Sequence, residues 1–322
     1  MAWYFKKNRL GRAFCLFVLL MNIVSCDDQN ESNEIKSGIE LVVLGTIQDA
    51  GSPQIGCKKK CCKPLFKKGK SDRMVVSLGI IDYDLKTQYL FEATPNLPMQ
   101  LSQLQRLSEN KKMPDGIFIT HAHIGHYTGL MYLGKEAMNS ENVKVYAMDG
   151  MQQFLENNGP WNQLVSNANI RIENISTTKE ITLNEHLKVS PFLVPHRDEY
   201  SETVGYKIKG QNKTALFIPD IDKWSKWEKD IIKEIEKVDY AFIDGTFYSG
   251  AEINNRDISE IPHPFIQESM DAFKDLEPHQ KNKIYFIHFN HTNPVLDPNS
   301  KASKKILKKG FHIARKHDRF SL

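Results

Sequence analysis

The sequence of 322 residues lacks an apolar run long enough to span a bilayer comfortably. Its apolar segment AFCLFVLLMNIV, at 13–24, is shorter than the roughly 20 residues that a transmembrane helix requires. Basic side chains precede this segment and the tripeptide VSC ends it, which is the pattern of a bacterial lipoprotein signal peptide over residues 1–25. The alternative is an uncleaved membrane anchor.

The lipoprotein interpretation predicts a location and a boundary. Cys26 would carry the lipid, and the polar residues 26–38 would form a tether to the membrane. The folded domain would then be 39–322. We expect a lipid-anchored protein of the cell envelope that faces the periplasm or the cell surface.

The chain has little net charge of either sign. Its formal charge is +4 at pH 7, and residues 1–25 contain four basic and no acidic side chains, so the remaining chain has a charge of +4 − 4 = 0. Proteins that bind nucleic acid usually carry a basic surface for the phosphates. We therefore expect a small-molecule substrate and no nucleic-acid partner.

Cysteine is also scarce. Five are present, and three remain if Cys15 is cleaved off with the signal and Cys26 is acylated. Cys57, Cys61 and Cys62 lie together in GCKKKCCKPLFKKGK. This spacing suits a structural zinc site whose fourth ligand comes from elsewhere in the chain. One disulfide with a spare thiol is the alternative, which an oxidising compartment would favour.

After residue 38, apolar strand patterns precede helical patterns twice over. Strands are predicted at 39–46, 74–82, 88–93, 116–120, 143–148, 186–196, 204–220, 240–245 and 283–289. Helices are predicted at 97–108, 126–138, 223–238, 264–276 and 300–310. This order is typical of two sheets packed face to face with helices outside, an α+β domain.

Side chains that can bind metal follow five of these strands. They are His121, His196, Asp220, Asp244 and His288. One such residue is unremarkable, but five on separate strands indicate a shared site at the edge of the sheets. Imidazole and carboxylate are the ligands that zinc takes outside thiolate sites.

The segment THAHIGH at 120–126 resembles the T-H-x-H-x-D-H motif of the metallo-β-lactamase superfamily. VPHRDEYSETVGYKI and LFIPDID resemble its third-histidine and bridging-aspartate segments. LGTIQDAGSPQIGCKKKCC, DGTF, IPHP and IHFNHTNPVLD are similar, in the same order, to the pyrroloquinoline quinone biosynthesis protein B family. The resemblance runs from about residue 40 to 322 and implies an αββα sandwich of two mixed β-sheets flanked by helices.

The resemblance also implies two zinc positions. The first would be held by His121, His123 and His196, and the second by His126, Asp220 as a bridge and His288. We expect catalytic roles for Asp220, as general base if the second metal is absent, and for His263 of IPHP, as a pocket residue. Asp244 is expected to orient a ligand histidine.

Gly125 stands where the superfamily motif has aspartate. Because a carboxylate is missing, we expect one firmly bound catalytic zinc and a weakened second one. Changing Gly125 to aspartate is expected to restore the second site. The candidates to compensate are Asp198, Glu199 and Asp222, and His291 is a candidate additional ligand or substrate contact.

These features favour a zinc-dependent hydrolase that acts on a small ester, lactone, amide or phosphodiester through a metal-activated water. The alternative is a protein of quinone-cofactor biosynthesis, or a carrier, that binds a small quinone-like molecule. The missing acid at residue 125 favours that alternative. A tRNA-processing nuclease shares the implied fold, but it needs access to cytoplasmic RNA, which the lipoprotein signal argues against.

Overall fold

The computed structural model describes residues 36–69, 71–253 and 261–322. Residues Ser37–Leu322 make up one unit of the chain. The predicted signal peptide, Cys26 and residues 26–35 of the predicted tether lie outside the described residues. Within the described ranges, no helix is both long and apolar enough to cross a membrane.

The first sheet joins an antiparallel half to a parallel half. Its strands are β1 (Ile39–Gly45), β2 (Ser77–Asp82), β3 (Thr87–Phe91), β4 (Gly116–Phe118), β5 (Val143–Ala147), β6 (Ile170–Asn174) and β14 (Arg319–Ser321). The spatial order is β14-β1-β2-β3-β4-β5-β6. Pairing is antiparallel from β14 to β3 and parallel from β3 to β6.

The second sheet repeats this arrangement. Its strands are β7 (Ile181–Thr182), β8 (Lys188–Leu193), β9 (Val204–Lys209), β10 (Thr214–Ile218), β11 (Tyr240–Asp244), β12 (Ile284–Ile287) and β13 (His312–Ile313). The order is β13-β12-β11-β10-β9-β8-β7, parallel from β13 to β10 and antiparallel from β10 to β7. The strand predicted at 204–220 is the hairpin of β9 and β10, with a turn in which Gly210 N donates to Lys213 O at 2.9 Å.

The described residues form nine helices. They are α1 (Lys63–Lys68), α2 (Leu97–Leu107), α3 (Ile124–Tyr127), α4 (Asp149–Asn157), α5 (Trp161–Ser166), α6 (Ile231–Glu236), α7 (Ile266–Ala272), α8 (Pro278–Lys281) and α9 (Lys301–Lys308). Short 3-10 turns lie at Thr128–Leu133, Trp224–Lys226, Gly250–Glu252 and Pro294–Leu296.

Two predicted helices are shorter than the sequence pattern indicated. The helix expected at 223–238 is a 3-10 turn followed by α6, because the Asp230 carboxylate accepts a hydrogen bond from Ile232 N and starts the helix there. The helix expected at 126–138 consists of the four residues of α3 and a 3-10 turn. Gly129 of that turn lies against backbone carbonyls, and a Cβ there would be 2.1 Å from Thr94 O.

Three apolar layers confirm the predicted αββα sandwich. Phe91, Phe118, Tyr206 and Phe217 are fully buried in the layer that includes inward residues of both sheets. A second layer lies between the first sheet and its helices, and a third between the second sheet and its helices. The sheets therefore pack face to face, and the ends of their strands are available for a site.

Candidate metal centre

The loop after β4, which carries the first histidines, is tied to the opposite sheet. Val204 N in β9 donates to Thr120 O at 3.1 Å, and the Tyr206 hydroxyl donates to Ile119 O at 2.6 Å. Because Tyr206 is fully buried, its hydroxyl needs this partner. The two bonds fix where β4 ends and where the following side chains begin.

The first group of candidate ligands is His121, His123, His196 and Asp220. Their ligand atoms all lie within 4.8 Å of one another. Asp220 Oδ2 is 3.5 Å from His121 Nε2 and 3.3 Å from His196 Nε2. His121 Nε2 and His123 Nδ1 are 2.8 Å apart. The structure therefore brings together the three histidines predicted for the first position, with Asp220 beside them.

The second group is Asp49, His126, Asp220 and His288. Asp49 Oδ1 lies 2.8 Å from His126 Nε2 and 3.7 Å from His288 Nε2. Asp220 Oδ2 lies 4.0 Å from His126 Nε2 and 3.9 Å from His288 Nε2. The predicted residues of the second position are thus together, joined by a carboxylate that the sequence analysis did not single out.

Glu92, which the sequence analysis missed, orients two of the histidines. Thr120 Oγ1 donates to Glu92 Oε1 at 2.6 Å, so its oxygen is free to accept from His121 Nδ1 at 2.9 Å. Glu92 Oε1 also lies 3.2 Å from His126 Nδ1. The contact with Thr120 favours a proton on His121 Nδ1, and the charge of Glu92 favours a proton on His126, while the Nε2 atom of each ring faces the centre.

Asp244 acts in the same way through Thr246. Thr246 Oγ1 donates to Asp244 Oδ1 at 2.7 Å and accepts from His288 Nδ1 at 2.9 Å. His288 itself has φ 66°, in the left-handed region that few non-glycine residues occupy. The structure gives Asp244 the orienting contact that was expected of it, with the threonine as intermediary.

The three carboxylates proposed to compensate for Gly125 lie elsewhere. Asp222 Oδ1 is 3.2 Å from His196 Nδ1, and Glu199 Oε2 is 3.4 Å from His123 Nε2. Asp198 accepts a hydrogen bond from a threonine. Two of them therefore contact outer nitrogens of first-group histidines, and none belongs to the second group.

Asp49 occupies the space that a side chain at residue 125 would need. An ideal Cβ on Gly125 would lie 2.3 Å from Asp49 Oδ1 and 2.5 Å from Asp49 Cα. The expectation that Gly125→Asp would fit is therefore wrong for this backbone. A signal for Asp49 did exist in the sequence, because it follows β1 as the other candidates follow their strands.

His263 lies behind Asp220. Its Nδ1 is 3.1 Å from Asp220 Oδ1 and 2.9 Å from Asp244 Oδ2. Burial disfavours the charged imidazole, but Asp244 and Asp220 outweigh burial and hold the pKa of His263 well above its usual value. The ring thus bridges two carboxylates.

Burial and the surrounding imidazoles shift the pKa values of Asp220 and Asp49 in opposite directions. Burial alone would raise the pKa of Asp220, but His196 and His263 outweigh it and hold that pKa well below the usual value. The pKa of Asp49 is lowered in the same way, with His126 as the main opposing charge. Both carboxylates are therefore anionic at neutral pH and suited to a cation.

Unpartnered buried atoms test whether these residues fit zinc. Within the described ranges, the buried atoms of the centre that have no hydrogen-bond partner include His126 Nε2, His196 Nε2, His288 Nε2, Asp49 Oδ1 and Asp220 Oδ1. Leaving a buried polar atom unpaired costs about 1–3 kcal/mol. Zinc accepts lone pairs from imidazole and carboxylate, so the set fits that ion.

The cysteine cluster gains its fourth candidate ligand from the far end of the chain. Cys57, Cys61, Cys62 and His291 have ligand atoms within 4.8 Å of one another. The Cys57–Cys61 and Cys61–Cys62 Sγ distances are both 3.9 Å, and all three thiols are free. Four ligands at tetrahedral angles and a Zn–S length of about 2.3 Å give an S–S distance of about 3.8 Å. His291 thus lies with the thiols rather than in the histidine centre.

Comparisons with known proteins identify the family of this chain. The family described as "Beta-lactamase superfamily domain" matches residues 87–289. "Coenzyme PQQ synthesis protein B" of Methylobacillus flagellatus is 24% identical over 303 residues, covering 84% of this chain and 96% of that protein. The protein of the same name from Gluconobacter oxydans is 23% identical over 300 residues, covering 86% and 96%.

Two solved structures share the fold. Zn²⁺-bound PqqB from Methylobacterium extorquens matches with a TM-score of 0.73 and 20% identity, covering 88% of this chain and 100% of that one. A diphosphatase from the PhnP family matches with a TM-score of 0.58 and 20% identity, covering 88% and 97%. The first of these proteins binds zinc on the same fold.

Proposed function

Since this chain belongs to the metallo-β-lactamase superfamily, we propose that it is a zinc-dependent hydrolase of a small ester, lactone, amide or phosphodiester. One observation carries the proposal. Asp220 Oδ2 lies between 3.3 and 4.0 Å from a ring nitrogen of each of five histidines. So many imidazole groups around one buried carboxylate oxygen suit a hydrolytic metal centre.

Zinc bound in such a centre acts as a Lewis acid and lowers the pKa of a water to about 7. The protein's own part is orientation and proton handling. Glu92, Asp222 and Asp244 hold the outer nitrogens of the ligand rings, directly or through threonine, so that the inner nitrogens face the centre. His263 Nδ1 is hydrogen-bonded to Asp244 Oδ2 and lies 3.1 Å from Asp220 Oδ1, where a proton on this ring stabilises the charge of Asp220.

A role in quinone-cofactor biosynthesis, or as a carrier of a small quinone-like molecule, is the second candidate. The observation that favours it is the name shared by the two relatives, coenzyme PQQ synthesis protein B, at 23–24% identity over most of both chains. In that case the same centre would bind and orient the quinone-like molecule.

A substrate panel with metal analysis separates the two candidates. The purified protein is assayed with chromogenic carboxylic esters, lactones and phosphodiesters, before and after chelation. We expect turnover of at least one class that chelation removes and zinc restores, and that His123→Ala abolishes. Tight binding of a quinone with no zinc-dependent turnover of any class would instead support the carrier.

We also propose that Cys57, Cys61, Cys62 and His291 hold a structural zinc ion. The support is their spacing and the buried Nδ1 of His291, which has no partner in the described part of the chain. Burial and the neighbouring thiols raise the pKa of Cys62 to about 12, so this thiol needs a cation to ionise at neutral pH. A wild-type chain that carries a disulfide here and no such ion would contradict the proposal.

The location is proposed from the sequence alone. Residues 1–25 have the pattern of a lipoprotein signal, which supports lipidation of Cys26 and anchoring in the cell envelope. Fractionation of cells that express the full-length chain tests this. We expect the wild-type protein in the membrane fraction and the Cys26→Ser variant in the soluble fraction. If both proteins are equally soluble without detergent, the proposed lipid anchor is refuted.

A further inference from the structure

We propose that Asp49 is the carboxylate ligand of the second metal position, and that it replaces the acid which the superfamily motif carries at the position of Gly125. The inference rests on the proposed zinc-dependent function and assigns a residue outside the histidine motif to it. With Asp49 as a ligand, the second metal position has a complete ligand set, so we no longer expect its ion to be weakly bound.

The contacts of Asp49 place its carboxylate among the second-position ligands. Oδ1 lies 2.8 Å from His126 Nε2 and 3.7 Å from His288 Nε2, and it is buried without a hydrogen-bond partner among the described residues. The side chain is 13% exposed. With Asp220 shared, the second position therefore has two imidazoles and two carboxylates, the four ligands that zinc takes.

The absence of a side chain at Gly125 is what gives the Asp49 carboxylate its space. The Cβ of any other residue at Gly125 would fall 2.5 Å from Asp49 Cα, closer than nonbonded carbon atoms approach. Asp49 can reach His126 only if the backbone at Gly125 has no Cβ. Gly125 and Asp49 thus depend on each other, and the second metal position keeps one carboxylate besides the shared Asp220.

A short backbone pairing fixes Asp49 relative to His288. Gln48 N donates to Phe289 O at 2.9 Å, and Phe289 N donates to Thr46 O at 2.7 Å. Asp49 is thus next to one paired residue, and His288 is next to the other. Because both side chains leave the same paired segments, their spacing does not depend on a flexible loop.

The test compares two charge-removing variants, Asp49→Asn and Asp198→Asn. The second is the matched control, because Asp198 is an exposed carboxylate near the centre that accepts from Thr203 and belongs to neither ligand group. Zinc content is measured by elemental analysis, affinity by competition with a chromophoric chelator, and ion positions by anomalous scattering. Circular dichroism and melting temperature check that both variants fold.

We expect Asp49→Asn to keep the ions of the first position and the cysteine cluster while the second position binds zinc at least 10–100-fold more weakly, the range for losing an outer contact of a metal ligand. Asp198→Asn should match wild type. Gly125→Ala should also weaken the second position, since its methyl displaces Asp49 without adding or removing a ligand.

Three results would overturn the proposal: wild type that binds no second ion, Asp49→Asn that keeps it at wild-type affinity, or loss of both ions from the histidine centre together. The proposed function fails separately. If wild type binds both ions but hydrolyses none of the substrate classes, hydrolysis is refuted while the assignment of Asp49 stands on the metal counts.

Discussion

The histidine centre and the cysteine cluster are assembled in opposite ways. The cysteine cluster takes three of its four candidate ligands from six consecutive residues, 57–62, and one from His291. The histidine centre draws its ligands from five separate segments at the strand ends of both sheets. A local cluster can therefore be recognised by spacing, whereas a dispersed one depends on the packing of the whole sandwich.

The two sites also differ in how their ligands are supported. The histidines of the centre have outer contacts with buried or half-buried carboxylates, such as Glu92 and Asp222. In the cysteine cluster the support comes from the neighbouring backbone, as in the hydrogen bond that Gln54 N donates to Cys62 Sγ at 3.3 Å. The centre is thus organised by the fold, while the cluster helps to order its own loop.

The largest effect is expected from Asp220→Ala. Because Asp220 belongs to both ligand groups of the centre, its loss should remove both ions there and lower turnover by at least about 100-fold, the upper range for losing an outer contact. The ion at the cysteine cluster should remain. Elemental analysis of the folded variant checks this, and a wild-type zinc content would contradict the shared role of Asp220.

Cys62→Ser is expected to affect the cysteine cluster and to leave the histidine centre intact. Removing one of four ligands should empty the cysteine cluster, and at zinc about 1,000-fold above its Kd this forfeits about 4 kcal/mol of stability. The first-position ion should remain, since its ligands lie on other segments. Thermal unfolding with and without added zinc measures the loss. A melting temperature that responds to zinc as in wild type would count against the cluster.

Glu92→Gln tests how much the contacts to the outer ring nitrogens contribute to zinc affinity at the histidine centre. Glu92 is fully buried and serves His121 through Thr120 and His126 directly, so zinc affinity at the centre should fall by roughly 10–100-fold. Asp222→Asn should weaken binding less, because Asp222 serves only His196 and is 12% exposed. Competition titrations compare the two. Equal affinities in wild type and Glu92→Gln would refute the outer-contact role.

The smallest effect is a dependence on pH. Burial lowers the pKa of His196, but Asp220 outweighs it and raises that pKa to about 9 in the metal-free protein. This proton stabilises the metal-free fold fully below pH 6.5, and the contribution is lost as the pH rises through 9. Zinc needs the neutral ring, so it must displace the proton throughout that window.

Zinc affinity at the centre should therefore rise with pH between 6.5 and 9, by up to about tenfold per unit for each proton released, and level off above 9. Calorimetry in buffers of different ionisation enthalpy measures the released protons. An affinity that is independent of pH between 7 and 9 would contradict the assignment of His196 as a ligand.

The fold was largely predictable because its strands carry their own pattern. The strands IELVVLG and YAFID contain the continuous apolar runs LVVLG and AFI, as strands buried on both faces require. Both strands end within a residue of the predicted bounds. The edge strand β6 was not predicted, and the short edge strands β7 and β13 were missed because two residues give no periodicity. The strand β14 was missed because it pairs with β1 from the opposite end of the chain.

In the histidine centre, the metal ligands that the sequence pattern identified follow predicted strands or stand in the histidine motif. Glu92 and Asp49 were missed for different reasons. Glu92 follows β3 with φ 76°, an unusual conformation that composition does not reveal. Asp49 lies in the segment LGTIQDAGSPQIGCKKKCC. It comes close to Gly125 only when β1 and β4 take their places in the first sheet, which brings the loops after the two strands together.

The sequence by itself determined the two sheets, the histidine motif, the three thiols and the missing acid at residue 125, because each is written in local spacing. Only the tertiary structure decided that Asp49 takes the place of that acid and that His291 joins the thiols instead of the centre. The physical reason is distance. Asp49 and Gly125 come within van der Waals contact across many residues of chain, and such contacts are set by how strands pair and pack.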